Sequence, residues 1–261
     1  MNNSELHTQL ADELAAAERS QGQIPLITGR FPDLTVEDSY RIQGVWRSRG
    51  EAAGRRVVGH KIGLTSRAMQ QATGITEPDY GIIFSDMVYQ SGARIEHAQF
   101  SGVRVEVELA FVLSEPLSGP DCTMFDVLRA TEYVLPALEI LSSRIEMEGR
   151  TIVDTIADNA AMGAMVLGGV PMKHDGVSLP WVGGVLYRNA SIEETGLAAG
   201  VLGHPAHGVA WLANKLHQHG ESLAAGEIIL SGSFTRPLWV SPGDTVFADY
   251  GELGKVTCEF V

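Results

Sequence analysis

The chain has 261 residues, 44% of them hydrophobic, with a formal net charge of -13 and a pI of about 5.0. That length and apolar content suit one large core with a smaller appendage and exclude a disordered chain. The acidity excludes a nucleic-acid or anionic-membrane surface, since both need a basic footprint, and Cys122 and Cys258 alone make no disulfide framework and no CxxC pair.

The N-terminal stretch MNNSELHTQLADELAAAERS is acidic and has no apolar core of a signal peptide. No apolar run approaches the ~20 residues of a membrane span. A soluble, cytoplasmic protein is expected. Leu6, Leu10 and Leu14 recur at i, i+4 and predict a helix over 4–20. Thr35-Val36-Glu37-Asp38 resembles a capping box and opens a second helix running to about Ala53, before Gly54. These two helices define a small N-terminal helical section, residues 1–55, ahead of a β-rich core, residues 56–261.

Within that core, short apolar or alternating runs predict strands around 56–62, 82–89, 103–113, 132–141, 162–168, 183–188, 226–231 and 244–260. Helical segments are expected after Thr65, near 123–130, and between Pro205 and Gly220. This is not the regular strand–helix alternation of a doubly wound sheet. An α+β fold is expected, with a mixed-sheet core and helices at its margin.

The stretch VRVEVELAFVL, residues 103–113, puts Val103, Val105, Val107, Leu109, Phe111 and Leu113 on one strand face. The other face reads Arg104, Glu106, Glu108, Ala110 and Val112, so it starts charged and ends apolar. Glu106 and Glu108 alone are equally explained by a strand face left in water. A third acid shifts the balance. Glu139 is the one acid inside the apolar run YVLPALEIL, residues 133–141, and a lone buried carboxylate must be paired, protonated or bound to metal. Three carboxylates with no neighbouring His or Cys form a hard oxygen set suited to Mg2+ or Mn2+.

Lys61 sits in the Gly-flanked run VVGHKIG, residues 57–63. It is either a snorkelling surface lysine or a poorly solvated proton carrier beside the metal. Thr65 or Ser66 caps the following helix, whose N-terminus can also receive a carboxylate. Asp79 lies in the turn sequence EPDYG, where an aspartate is more often a turn former. Arg236, in GSFTRPL, either grips a substrate carboxylate or makes an ordinary surface salt bridge. His204 and His207 at a helix start are better explained by capping than by metal. No G-x-S-x-G elbow, G-x-G-x-x-G or Walker A sequence occurs.

Taken in order, GHKIGLTSRAMQ, EPDYG, RVEVELAFVL, VLPALEIL, DTIADNAA, GHPAHGVAWLANKL and SGSFTRPL resemble the hydratase/decarboxylase branch of the fumarylacetoacetate hydrolase superfamily, from about residue 4 to the C-terminus. The resemblance implies a core of that family's type holding one Mg2+ or Mn2+ on Glu106, Glu108 and Glu139. It implies Lys61 and Asp79 as the catalytic pair, and Thr65, Asn159 and Arg236 as substrate-binding residues. It implies a homo-oligomer larger than a dimer. The implied reaction is metal-dependent addition of water to a 2-hydroxydienoate or 2-oxo-enoate in aromatic-compound degradation. The substrate is a small 2-oxo acid or dicarboxylate, and Arg236 would favour a seven-carbon dioate over a pentadienoate. Within the branch, decarboxylation of 4-oxalocrotonate is the alternative. A C–C hydrolase is disfavoured because the His-bearing segment of those enzymes is missing. A non-catalytic partner subunit has no use for three carboxylates buried together.

Overall fold

The computed structural model describes residues 3–66, 70 and 77–261. Helix α1 (Asn3–Ser20) turns Leu10, Ala11, Leu14 and Ala17 inward. It packs on α3 (Val36–Ala52), and the single turn α2 (Ile27–Arg30) lies between them in sequence. The predicted capping box opens α3: the Thr35 hydroxyl accepts from Asp38 N at 3.1 Å, and Asp38 accepts from Thr35 N at 3.0 Å. These helices are fastened to the core at several points. Gln43 Nε2 donates to the carbonyls of Tyr80 and Ile156, and the Trp46 ring lies 5.3 Å from that of Phe84.

Two sheets form the core. The first runs β2 (Asp79–Phe84), β1 (Val57–Gly63), β10 (Ile228–Leu230), β5 (Arg104–Leu113), β6 (Thr131–Leu141), β7 (Met162–Leu167), β3 (Val88–Gln90), with the two-residue β11 (Leu238–Trp239) also paired to β5. The second runs β4 (Ala93–Ile95), β13 (Lys255–Phe260), β12 (Thr245–Asp249), β8 (Gly183–Arg188), β9 (Ser191–Leu197). Pairings are antiparallel except β1–β10, β3–β7 and β4–β13, so the sheets are mixed as expected.

Strand β5 is the axis of the larger sheet. Val105, Val107, Leu109, Phe111 and Leu113 are all buried on one face. On the other face Glu108, Ala110 and Val112 are buried as well, and only Arg104 and Glu106 are half-buried. Helix α4 (Met124–Ala130) and helix α6 (Pro205–Gln218) cover the margin, close to where their sequences predicted them.

Several elements differ from expectation. The run 244–260 is a hairpin, β12 and β13 with a turn at Gly251–Leu253, rather than one strand. The run 82–89 is divided between β2 and β3 by a turn at Ser85–Met87. Helix α5 (Ile152–Ala157) was hidden by its six-residue length, although Thr151 and Asp154 form another capping box. Strand β9 was hidden by its polar sequence SIEETGL, which leaves it half-exposed. The helix expected after Thr65 falls on 67–69 and 71–76, outside the described residues.

Candidate active site

Strand registers assemble the site. Glu106 on β5 stands directly opposite Glu139 on β6, and Glu108 is one pleat further along the same face. The next row on that face runs Ala110, Leu230, Lys61 across β5, β10 and β1. One pleat beyond Lys61 is Gly63, whose partner on β2 is Asp79. Five chemically active side chains from four strands therefore share one face. Gly63 is what makes this fit: a Cβ there would lie 2.2 Å from Asp79 Oδ1 and 3.1 Å from Lys61 Nζ.

Glu106, Glu108 and Glu139 each offer a carboxylate oxygen, all within 4.8 Å of one another, the one such acidic, His or Cys group among the described residues. Glu108 and Glu139 are fully buried, and Lys61 and Asp79 nearly so. Lys61 Nζ lies 3.2 Å from Glu139 Oε1 in an ion pair without hydrogen-bond alignment. Glu108 Oε2 accepts from Gly232 N at 2.9 Å. Among the described residues, both Glu139 oxygens, Glu108 Oε1 and Asp79 Oδ1 are buried without a hydrogen-bond partner. Buried oxygens of this kind are costly unless something else satisfies them.

The local charge tells the same story. Burial, then Glu139, pushes Glu106 up to about 8, against the pull of Lys61 and Arg104. Burial, then Glu139 and Glu106, pushes Glu108 well above the carboxylate range. Burial raises Asp79 to about 6 although Lys61 opposes it. Burial works against the Lys61 ammonium, but Glu139, Asp79, Glu106 and Glu108 together raise its pKa. One lysine does not neutralise four carboxyl groups. The unpartnered oxygens, the short separations and the all-oxygen donor set fit a hard divalent cation held by Glu106, Glu108 and Glu139.

The face opens into a cavity of about 520 Å3, lined by Lys61, Asp79, Glu106 and Glu108 at its base. Thr65 lines it too, buried against the loop after β10, where Gly232 has φ +116 and a Cβ would lie 2.3 Å from Thr65 Oγ1. Arg236 stands at the rim with its side chain 78% exposed and paired to Glu194 of β9 at 2.8 Å. Asn159 lies elsewhere. Its amide donates to Ile82 O at 2.9 Å and its Oδ1 accepts from Ile82 N at 2.7 Å, so it pins the β2 backbone rather than facing the cavity. Asp158 beside it is buried against Arg144 and Arg150. The next two residues, Ala160 and Ala161, do line the cavity.

Arg104 and Arg150 line the cavity without having been singled out from the sequence. Arg104 carried a readable signal: it shares the strand face of Glu106 and Glu108. Arg150 lies in a loop and carried none. His204 caps α6 by accepting from Ala206 N at 3.1 Å, as expected, and takes no part in the site.

The family model for the C-terminal region of fumarylacetoacetate (FAA) hydrolase matches residues 53–261. The chain belongs to the fumarylacetoacetate hydrolase family. It is 50% identical to 2-oxo-hept-4-ene-1,7-dioate hydratase of Escherichia coli, over 98% of each sequence. It is 41% identical to 2-keto-4-pentenoate hydratase of Paraburkholderia xenovorans (strain LB400), over 97% of this chain and 94% of that one. Among solved structures it resembles 4-oxalocrotonate decarboxylase from Pseudomonas putida G7, complexed with magnesium and adipate, with a TM-score of 0.97 and 34% identity over 100% of this chain and 99% of that one. The fold is thus of the fumarylacetoacetate hydrolase type over residues 53–261, and the likeness to the decarboxylase extends over the N-terminal helices.

Proposed function

We propose that this chain is a divalent-metal-dependent hydratase that adds water to 2-oxo-hept-4-ene-1,7-dioate, giving 4-hydroxy-2-oxoheptanedioate in aromatic-compound degradation. The observation that carries the reaction class is the Glu106, Glu108 and Glu139 cluster with Lys61 3.2 Å from Glu139 and Asp79 across Gly63 from Lys61. The substrate assignment is supported by the 50% identity to the E. coli dioate hydratase.

Mg2+ or Mn2+ on the three glutamates would supply Lewis-acid stabilisation of negative charge at the substrate's C2 oxygen; a magnesium-bound structural relative supports this choice. The chain's own residues do the rest. A cation held there would offset the three glutamates that raise the Lys61 pKa and leave burial, which lowers it, less opposed. Lys61 delivers a proton to C5 of the dienol form as the C2 hydroxyl loses one, leaving an α,β-unsaturated ketone. Asp79, packed across Gly63 from Lys61, returns the lysine to its protonated state. Water then adds at C4, with its second proton going to C3. Thr65 borders the reacting end, where its hydroxyl is available to a substrate carboxylate.

Assembly beyond a dimer is part of the same reading. Exposed large apolar side chains, among them Trp181, Ile192 and Trp239, support it. Decarboxylation of 4-oxalocrotonate is the second reading, favoured by the TM-score of 0.97 to that decarboxylase.

The test is turnover by the Mg2+-loaded protein on the dioate, 2-hydroxypenta-2,4-dienoate and 4-oxalocrotonate in parallel, with products identified by mass. Gain of one water on the dioate at the highest kcat/KM is the expected result. Loss of CO2 from 4-oxalocrotonate with no hydration would replace it with the second reading.

A further inference from the structure

Among the described residues, four cationic side chains line the cavity: Lys61, Arg104, Arg150 and Arg236. Three have a carboxylate partner. Lys61 faces Glu139, Arg150 faces Asp158, and Arg236 faces Glu194. Arg104 has no carboxylate partner among the described residues. Its Nη2 donates to Ser143 Oγ at 2.9 Å and its Nε to Gly102 O at 3.3 Å. A guanidinium has five N–H donors, so three remain, including both on Nη1. The Trp239 ring, centred 5.4 Å from its Cζ, covers one face of the guanidinium and limits its motion.

Arg150 adds to this. Its Nη1 donates to the same Ser143 hydroxyl at 3.4 Å, so two guanidinium groups converge on one neutral oxygen. The nearby Asp158 is already shared between Arg150 and Arg144. Arg104 and Arg150 therefore form a local positive pair in the cavity lining, beside the acidic cluster, in a chain whose net charge is -13. A half-buried arginine with its fork open toward a cavity is built to receive a planar anion.

Its position says which anion. Arg104 lies on the strand face of Glu106 and Glu108, one pleat past Glu106, roughly 7 Å along β5. A ligand anchored over the three glutamates by one end can extend its other end along β5 to Arg104. We propose that Arg104, positioned by Ser143 and backed by Arg150, is the subsite for the second carboxylate of a dicarboxylate substrate. This rests on the hydratase reading for the identity of that substrate, and it moves the chain-length role from Arg236 at the rim to Arg104 inside.

The experiment is calorimetric binding of two non-reacting probes, adipate and hexanoate, to the Mg2+-loaded full chain. The two probes have six carbons each and differ in the second carboxylate. The wild-type protein is expected to bind adipate at least ~10-fold tighter. Arg104→Gln erases that preference, weakening adipate at least ~10-fold and hexanoate less than ~2-fold. Arg104→Lys, which keeps the charge but not the fork, recovers part of it. Arg236→Ala keeps the preference. Hexanoate binding reports that each variant is folded. No preference in the wild type, equal weakening of both probes in Arg104→Gln, or loss of preference in Arg236→Ala alone would overturn the assignment. Neither probe is turned over, so failure of the hydratase reading and failure of this subsite are separate results.

Discussion

Lys61 and Asp79 meet over a residue with no side chain, and their chemistry depends on that gap. Gly63→Ala is expected to leave the fold intact, because the new methyl meets the ends of two side chains rather than backbone. It should cut kcat/KM at least ~10-fold by displacing the pair, measured alongside an unchanged circular dichroism spectrum. Lys61→Met should lower kcat by about 10^2–10^4-fold, the usual range for a lost proton carrier. Its effect on KM should be small, because the metal-binding carboxylates remain in place; steady-state kinetics separates the two constants. At this scale the sequence was most readable where a charge breaks an apolar pattern. Glu139 inside YVLPALEIL and Lys61 inside VVGHKIG are such breaks, and both are buried side by side at the site. Arg104 was only half readable: it shares the face of Glu106 and Glu108, but an arginine at the start of a strand face also describes a solvated strand end. Only the missing carboxylate partner distinguishes it, and partners are a property of the fold.

The elements that carry the site are the ones with a strong period. Strands β5 and β6 bury nearly all their residues, and their register fixes Glu106 opposite Glu139 without help from any loop. The supporting turn behind β2 is different. Asn159, Ala160 and Ala161 all have positive φ, a conformation that costs non-glycine residues about 1 kcal/mol each. The Asn159 side chain compensates by bonding both polar groups of Ile82. Asn159→Leu should therefore cost on the order of 2 kcal/mol of stability, the value of leaving those buried groups unpaired, while KM stays near the wild-type value. Chemical denaturation and kinetics on the same preparation check both halves. A large rise in KM with unchanged stability would restore the substrate-binding role read from the sequence. That role came from recognising a motif, and no local pattern reveals that an asparagine faces a neighbouring strand. Strand β9 was missed for a different reason: it forms a hairpin with β8 across Asn189 and Ala190, but its sequence is too polar to show alternation.

For the whole molecule, the carboxylate cluster links stability to pH and metal. In the metal-free folded chain Glu106 is raised to about 8 from an ordinary 4.5, and Glu108 is raised in the same direction. The folded state then holds more protons than the unfolded one between those values, so metal-free stability falls as pH rises through that window. Mg2+ held on the proposed ligands would stabilise the ionised carboxylates and remove the penalty. The difference in Tm between Mg2+-loaded and chelated protein should widen from pH 5.5 to pH 8, measured by differential scanning calorimetry. A difference independent of pH would mean that these glutamates do not bind the ion. Assembly is tested by light scattering, where a mass above twice 28.1 kDa is expected.

The most direct test joins metal, residues and reaction. Wild-type protein and Glu139→Gln are both stripped with chelator and titrated with Mg2+, while water addition to the dioate is followed. Wild-type turnover should vanish with chelator and return with Mg2+, and the variant should stay at least ~100-fold below it at every Mg2+ concentration. Full turnover in the stripped wild type, or in the variant, would contradict a metal-centred hydratase built on Glu106, Glu108 and Glu139.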